Sequence, residues 1–395
     1  MTRKALVVGS NFSAIPIVFA LKKRGFNITV CGNRLDEPCH DHADSSVDLD
    51  YSDEEALLRE MESGRYDLLV PTGNDVSFRS CAYVAERLGL PGWDSVEVTR
   101  ILHEKAAFRR FMRENELPGP RSKAFGPNDS ILVGEFAYPL LVKPTDSYSG
   151  RGVVTVRDAA QLPAAVAEAR KHARNGEIVV EEFIEGQLSS HSAFVRDGKI
   201  IYDVFADEYC TVYPYQVDCS HHPSALTERA RGAMRAAMGR IVSLLALNDG
   251  LLHTQFIWRG DDVWIIEPMR RSPGDLYGHM IDLSLGIGYS DLVVALLLGE
   301  AIEIKPRFDP PRLVGRHTVS TKSGKITPLS FTAEIPGAVA QIAPLRVTGK
   351  LLSPAPYDKL AILFARFEDF EQMRDVVPDF ASYIRLQTME GEFAW

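Results

Sequence analysis

The sequence predicts an α/β segment followed by an α+β segment, and two patterns support this prediction. Between residues 1 and 95, buried-type strands alternate with amphipathic helices, which is typical of a parallel sheet with helices on both faces. Between residues 96 and 305, strands occur mostly in adjacent pairs, such as the two runs flanking Asp197-Gly198. Residues 306–395 contain further strands and a helix. We therefore expect three domains, at 1–95, 96–305 and 306–395.

Composition and charge limit the classes of function. Of the 395 residues, 45% are apolar and 25% are charged, as in ordinary globular proteins. The formal net charge of -9 argues against a general nucleic-acid surface. No apolar run approaches the roughly 18 residues of a membrane span, and the five cysteines lack metal-ligand spacing. We expect a cytoplasmic protein with reduced thiols and with neither a membrane nor a nucleic-acid partner.

The first segment has two turns where a ligand could bind. The turn after Gly9 has Asn11 and Ala14 where a dinucleotide fingerprint has glycines, so NAD binding is not favoured. Asn74 and Asp75 follow a strand predicted at 66–71, where open α/β sheets bind ligands. Capping of the next helix is slightly favoured over substrate contact for both residues. The predicted elements of this segment are strands at 4–9, 27–31 and 66–71 and helices at 14–24, 53–63 and 76–88.

A glycine-rich loop at the start of the middle segment is the strongest chemical signal. A short apolar strand ends at Lys143, and a second β-branched strand follows the loop. Glycine lets backbone N–H groups turn toward an anion, and a lysine adds a compact charge that suits phosphate. The stretch lacks the P-loop pattern, so it is either a different phosphate-binding loop or an ordinary hairpin beside a lysine. The candidate phosphate-binding residues are Lys143, Ser147, Ser149, Gly150 and Gly152.

Charged residues elsewhere in the middle segment lie at the ends of predicted elements. A helix predicted over 99–115 contains Glu104 and Lys105, and an apolar strand at 177–186 becomes acidic at Glu181. Helices are also predicted over 224–247 and 290–298, with a hairpin formed by 251–258 and 263–267. His221 and His222 are placed in a polar loop that is either on the surface or facing substrate, because they have no partners at metal-ligand spacing.

The order of these signals resembles the ATP-grasp superfamily, and in particular its carboxylate–amine ligases. Four motifs appear in the family's order: Glu104-Lys105, Lys143 with the 147–152 loop, the 181–184 strand, and the segment from Glu267 to Arg271. The resemblance spans most of the chain. It implies a Rossmann-like domain before the ATP-grasp module, two subdomains within that module, and a small C-terminal closing domain.

The resemblance also implies a nucleotide site. Lys105 and Lys143 would contact ATP phosphates, and the loop would close over them. The Glu181 side chain and the backbone at Glu182 and Ile184 would hold adenine. Leu188 stands where the family commonly has a glutamate that holds the ribose.

The catalytic and metal residues follow from the same resemblance. Glu267 would bind Mg²⁺, with Mn²⁺ as an alternative, and Arg271 would steady an acyl phosphate. Gln255 stands where the family usually has an acidic magnesium ligand; it offers one neutral carbonyl oxygen. Met269 replaces an asparagine ligand and offers no hard oxygen. Asp275 is a further candidate for substrate or metal contact.

The implied reaction converts a small-molecule carboxylate into an acyl phosphate, with ATP forming ADP, and an amine then attacks it to form an amide. A homodimer is compatible with this function. One alternative is an N-carboxylase or formyltransferase of the same fold, and a second is a catalytically impaired ATP-binding module, suggested by Gln255 and Met269. Since adjacent residues of an extended chain face opposite ways, Arg270 is expected to form a salt bridge while Arg271 meets phosphate.

Overall fold

The computed structural model describes residues 2–147, 150–322 and 324–389, together with the backbone of 391–394; the candidate Ser149 lies outside these residues. Most of the chain is in regular elements. The helices are α1 Ile15–Lys23, α2 Glu54–Gly64, α3 Asp75–Leu88, α4 Val96–His103, α5 Lys105–Glu114, α6 Leu162–His172, α7 Glu228–Leu244, α8 Tyr277–Leu285, α9 Tyr289–Leu297 and α10 Phe370–Val376.

The strands divide among four sheets. They are β1 Lys4–Val8, β2 Asn27–Cys31, β3 Ser45–Val47, β4 Leu68–Pro71, β5 Ser122–Phe125, β6 Leu140–Pro144, β7 Val154–Val156, β8 Ile178–Glu182, β9 Gln187–Arg196, β10 Lys199–Tyr209, β11 Cys219–His222, β12 Gly250–Arg259, β13 Asp262–Met269, β14 Leu313–Val319, β15 Pro328–Ala333, β16 Ala338–Pro344, β17 Ala361–Phe367, β18 Ile384–Thr388 and β19 Gly391–Ala394.

The N-terminal segment forms the predicted parallel sheet, with strand order β3-β2-β1-β4. Alternate residues of β1 enter opposite cores. Ala5 and Val7 pack with residues of α1, whereas Leu6 and Val8 pack with residues of α2 and α3. Both faces of the sheet are therefore covered by helices, as the alternating pattern predicts.

A small antiparallel sheet positions two of the candidate site residues. Its strand order is β5-β8-β6-β7, and α6 packs on one face. Strands β6 and β8 are neighbours, with Leu141 opposite Glu181 and Lys143 opposite Val179. Lys143 and Glu181 thus lie near each other at one end of the sheet.

An eight-stranded sheet forms the centre of the molecule, with order β13-β12-β9-β10-β11-β14-β17-β16. Helix α7 packs on one face, and α8 and α9 pack on the other. Strands β14, β16 and β17 come from beyond residue 305, so the sheet runs across the proposed boundary between the second and third domains. A separate three-stranded sheet, β15-β18-β19, lies near α10.

The helix predicted over 99–115 is divided at Glu104, which has an extended conformation (φ −104°, ψ 118°). Good helix-forming residues run through this position, so nothing local marks the break. The residues on either side of the break contact parts of the chain that are distant in sequence. His103 stacks on Phe78 with ring centroids 5.2 Å apart, and the Lys105 Nζ donates to the Ser147 carbonyl.

The loop prediction for His221 and His222 is wrong. Both lie in β11 and are buried, and the His222 Nδ1 is 2.7 Å from the Ser284 Oγ of α8. The polar composition of this stretch hid a central strand, because each polar side chain is satisfied by a partner distant in sequence. Helix α8 was also missed by the sequence pattern.

Among the described residues, no single helix is long and apolar enough to cross a bilayer, although α8 and α9, bent by 113°, pass together on length and composition.

Candidate active site

A row of polar side chains crosses one face of the eight-stranded sheet. Glu267 of β13 lies opposite Gln255 of β12, and Gln255 lies opposite Ser190 of β9. The register between β12 and β13 shifts immediately after Gln255, which marks a β-bulge. Bulges are frequent beside active sites because they redirect side chains. The sequence-predicted metal residues Glu267 and Gln255 are thus cross-strand neighbours.

A second row continues the polar face over the next strands. Glu208 of β10 lies opposite Ser220 of β11, and Ser220 lies opposite Arg316 of β14. The two rows meet where the Gln255 Nε2 donates to the Glu208 Oε2 at 2.6 Å. Burial raises the pKa of Glu208 to about 7, against the opposing effect of the Gln255 hydrogen bond. Glu208 was not identified from the sequence, because it is one of several polar residues near the end of a long strand.

Arg316 is the second residue that the sequence analysis missed. Its side chain is fully buried, and its NH1 lies 2.7 Å from the Asp275 Oδ2. Its NH2 and Nε donate to the Ser220 Oγ at 2.6 and 3.0 Å. An arginine in the middle of a strand with apolar ends was the available signal, because arginine is almost never fully buried unless it is paired.

Lys143 belongs to a buried cluster of three charges. Its Nζ lies 2.7 Å from the Glu181 Oε2, and the Arg109 Nε lies 2.6 Å from the Glu181 Oε1. Burial alone would raise the pKa of Glu181, but the charges of Arg109 and Lys143 outweigh it and lower the pKa to about 2. Glu181 is 1% exposed. Its carboxylate is paired with two cations, and its contact with adenine stays a prediction.

The described residues of the glycine-rich loop, at 147 and 150–152, contact other parts of the chain. The Lys105 Nζ donates to the Ser147 carbonyl at 2.5 Å. Gly150 has a φ of +70°, and a Cβ there would meet the Pro214 carbonyl oxygen at 2.5 Å. Gly152 has a φ of +74°, and its Cβ would lie 2.7 Å from the His172 Cβ. Both positions require glycine, for conformation and for space.

The strand that contains Glu181 ends in a short hinge segment. The Glu182 N–H donates to the Arg121 carbonyl at 3.0 Å, and the Glu182 side chain lies 3.2 Å from the Arg121 NH1. Ile184, two residues beyond the strand, has no hydrogen-bond partner for its backbone N–H among the residues that the structure describes. A donor of this kind is what an adenine ring requires.

Arg271 is held by a residue of the N-terminal segment. Its Nε and NH2 donate to the two Asp75 carboxylate oxygens at 2.8 and 2.6 Å. The His103 Nδ1 lies 3.2 Å from the Asp75 Oδ1. Burial opposes ionisation of Asp75, but Arg271 and His103 outweigh it and hold the pKa of that carboxyl well below its usual range.

The neighbouring Arg270 points elsewhere, and the salt bridge expected for it is confirmed. Its Nε lies 2.7 Å from the Asp94 Oδ2 in the protein interior. Asn74 caps α3, because its side-chain oxygen accepts from the Val76 N–H at 2.8 Å. The capping expected for Asn74 is thus observed, whereas Asp75 binds Arg271.

Comparison with known proteins identifies the family. A family model described as an ATP-grasp domain matches residues 136–276, which include the loop, the hinge and both sheet rows except Arg316. Residues 136–276 form an ATP-grasp domain. The predicted resemblance is confirmed.

Two relatives by sequence illustrate the range of the superfamily. The C-terminal section of the carbamoyl phosphate synthase large chain from Methanopyrus kandleri is 25% identical over 331 residues, 76% of this chain and 59% of the relative. A formate-dependent phosphoribosylglycinamide formyltransferase from Rhodococcus jostii is 24% identical over 278 residues, 67% of this chain and 68% of the relative. The match thus spans less than two thirds of the first of these proteins.

Solved structures match the fold over nearly the whole chain. An L-amino acid ligase from Bacillus licheniformis has a TM-score of 0.79 at 21% identity, covering 97% of this chain and 98% of the other. The biotin carboxylase domain of the 2-oxoglutarate carboxylase from Hydrogenobacter thermophilus has a TM-score of 0.78 at 16% identity, covering 98% and 91%. The α/β and α+β prediction is confirmed at the level of fold.

Two positions of this ATP-grasp domain depart from the pattern that the resemblance implied. Met269 lies at the end of β13, opposite His253, and is buried, so it adds an apolar surface beside Glu267. Leu188 lies opposite Ile257 in the sheet. Neither side chain can accept a hydrogen bond from a ribose hydroxyl or donate a hard oxygen to a metal.

A separate buried cluster of the chain contains Asp218, Cys219 and His317. The Cys219 Sγ lies 3.0 Å from the His317 Nδ1, and the Asp218 Oδ2 lies 3.4 Å from the same nitrogen. The Thr211 Oγ1 also donates to the Asp218 Oδ2, at 2.5 Å. This carboxylate is already satisfied by hydrogen-bond donors, and we interpret the cluster as the anchor of the turn after β10.

Proposed function

We propose that the chain is an ATP-dependent ligase that activates a small carboxylate as an acyl phosphate, releases ADP, and joins the acyl group to an amine. The observation that supports this most directly is where the motif residues lie. Lys143 ends β6, Lys105 binds the loop that follows it, Glu267 lies opposite Gln255 on the eight-stranded sheet, and Arg271 follows the same strand as Glu267. The matched ATP-grasp region includes all of these except Lys105.

Nucleotide binding is assigned to the cleft between the small antiparallel sheet and the polar face. Lys105 and Lys143 supply positive charge for the phosphates, and loop backbone amides add donors. Backbone groups at Glu182 and Ile184 serve adenine. The closed loop excludes water, which matters because an acyl phosphate hydrolyses.

The residues present fit a magnesium ion. Glu267 offers a carboxylate and Gln255 a carbonyl oxygen on adjacent strands, and Mg²⁺ takes such ligands together with phosphate oxygens and water. Mn²⁺ accepts the same oxygen donors. When bound, the ion would neutralise charge on the transferred phosphoryl group.

Two arginines flank the position where the carboxylate substrate would react. Arg271 is held by Asp75 from the N-terminal segment, and Arg316 is held by Asp275. Guanidinium groups suit both a carboxylate and a developing acyl phosphate, because their fork of donors binds two oxygens at once. The adjacent carboxylates orient the arginines before substrate arrives.

Release of ADP tests the proposal. The full chain is incubated with ATP, Mg²⁺ and pairs of small carboxylates and amines, including amino acids, and ADP is measured by a coupled assay. ADP formation that requires both an acid and an amine supports the ligase. Formation with formate or bicarbonate as the acid supports the formyltransferase or N-carboxylase alternative.

A binding measurement distinguishes the ligase from the remaining alternative, a catalytically impaired ATP-binding module. Calorimetric titration with ADP or a non-hydrolysable ATP analogue reports nucleotide binding without turnover. Binding in the absence of ADP release from any mixture would favour an ATP-binding module. Sedimentation of the same sample would test the expected homodimer.

A further inference from the structure

Glu208 is a buried carboxylate without a cationic partner. Glu208 is 4% exposed, and its carboxylate accepts hydrogen bonds from neutral groups, the Gln255 Nε2 and the Ser190 side chain. Among the described residues, no lysine, arginine or histidine lies within ion-pair distance of its oxygens. Burying a carboxylate without a cation is costly, since the charge loses its hydration and regains little from a neutral donor.

Other buried or partly buried carboxylates around the site are paired differently. Glu181 meets Arg109 and Lys143, Asp94 meets Arg270, and Asp275 meets Arg316. Each of these anions is compensated within the chain. Glu208 is the exception among them, which indicates that a cation from outside the chain completes its environment.

The position of Glu208 favours a metal ion as that cation. Its side chain shares a sheet face with Gln255 and Glu267, because Gln255 hydrogen-bonds to Glu208 and lies directly opposite Glu267. Residues directly opposite in an antiparallel pair have Cβ atoms about 5 Å apart. Glu208, Gln255 and Glu267 therefore present three oxygen-bearing side chains to one region of the face.

We propose that Glu208 supplies the second carboxylate of the magnesium site, in place of the acidic residue that Gln255 replaces. This inference rests on the proposed function, since the ion is the one that accompanies ATP. Hard oxygen ligands are what Mg²⁺ requires, and two carboxylates suit it better than one carboxylate and one amide. The carboxylate has moved from β12 to β10, and the Gln255 amide fixes its orientation.

Electron paramagnetic resonance measures the affinity of the site for Mn²⁺ without catalysis. The titration is done in the presence and absence of ADP. Glu208→Gln removes the charge but keeps an oxygen that can accept the Gln255 hydrogen bond, so the fold is retained. We expect Mn²⁺ affinity in the ADP complex to fall at least about tenfold, the scale at which changes around metal ligands act. Affinity for ADP without metal should change little.

A relocation variant provides the sharper test. Glu208→Gln combined with Gln255→Glu places the carboxylate on β12 and the amide on β10, which reverses the pair. We expect Mn²⁺ affinity to return to within a few-fold of the original chain. Glu185→Gln, at an exposed glutamate near the hinge, is the matched control and should leave Mn²⁺ affinity unchanged.

The possible outcomes are distinct. Unchanged Mn²⁺ affinity in Glu208→Gln would overturn the proposal, and a raised KM for the amine in that variant would assign Glu208 to the amine substrate instead. If ADP binds normally but Mn²⁺ does not bind the original chain, only the metal assignment fails. If neither ADP nor ATP binds, the proposed function fails first. Melting temperatures of all variants without ligand identify any that do not fold.

Discussion

The Asp75 carboxylate binds the Arg271 guanidinium through both oxygens, at 2.8 and 2.6 Å, and so joins the N-terminal segment to the centre of the candidate site. Asp75 is the first residue of α3, and Arg271 follows β13. Gly73 and Gly274 allow this approach, since a Cβ on Gly274 would lie 2.9 Å from the Gly73 carbonyl oxygen. The pair sets the orientation of Arg271 before any substrate binds.

Asp75→Asn should weaken both stability and catalysis. The loss in free energy of unfolding should be about 1–2 kcal/mol, less than for a fully buried pair because the Asp75 side chain is 35% exposed and partly screened by water. Urea denaturation at pH 7 measures it. Asp53 is the N-cap residue of α2, so Asp53→Asn is a control for the loss of a charge at a helix N-terminus alone. An unchanged kcat/KM would show that Asp75 does not orient Arg271 for catalysis.

The same pair gives a pH dependence with a definite sign. The folded-state pKa of Asp75 is depressed well below its usual value. The contribution of Asp75 to the free energy of unfolding is therefore complete above its unfolded-state pKa of about 3.9. This contribution is lost as the pH falls toward the folded-state pKa. In Asp75→Asn, the difference in stability from the original chain should shrink as the pH is lowered through this range. A constant difference would contradict the assignment.

Lys143→Ala should abolish ATP turnover or raise the dissociation constant for ATP. The change removes the cation assigned to phosphate and leaves Glu181 paired with Arg109 alone. Calorimetric titration with nucleotide, together with ADP release, measures both effects. Lys123→Ala, at an exposed lysine of the same sheet, is the control. Unchanged affinity and rate would show that Lys143 does not contact nucleotide.

Arg109→Met should act on nucleotide binding through Lys143. Without Arg109, Glu181 has only Lys143 as a cation and holds it more tightly. We expect the free energy of unfolding to fall by about 3–5 kcal/mol, the range for breaking a buried pair. Arg109→Lys keeps the charge and should restore part of the nucleotide affinity. Equal ATP affinity in the original chain and in a folded Arg109→Met sample would limit Arg109 to a structural role.

Gly150→Ala should impair closure of the phosphate-binding loop. Its φ of +70° and the 2.5 Å approach to the Pro214 carbonyl oxygen both oppose a side chain. A strain of about 1–3 kcal/mol corresponds to a rise of roughly five- to 150-fold in KM for ATP. Gly134→Ala, where a Cβ meets nothing within 4 Å, is the matched control. Equal KM values for the two variants would argue against loop closure on the nucleotide.

Local sequence patterns were sufficient to predict several helices, strands and one hairpin. Strands β1, β2 and β4 and helices α1, α2 and α3 were predicted because each has a regular apolar period and a clear end, whereas the short β3 was missed. The hairpin around Asp197-Gly198 was predicted from its turn residues, and β9 and β10 extend on either side of it. The break at Glu104 and the strand at His221 and His222 were missed, because their stabilising partners lie far away in sequence.

The sequence by itself predicted the ATP-grasp resemblance and proposed the 147–152 loop, Lys105, Lys143, Glu267 and Arg271 as site residues, because the family's motifs are short and continuous. Only the tertiary structure showed that Glu181 is occupied by Arg109, that Asp75 holds Arg271, and that Glu208 meets Gln255. These relationships join residues 47 to 196 positions apart. The pairing of these charges depends on strand register and burial, and neither can be predicted from the local pattern of a sequence.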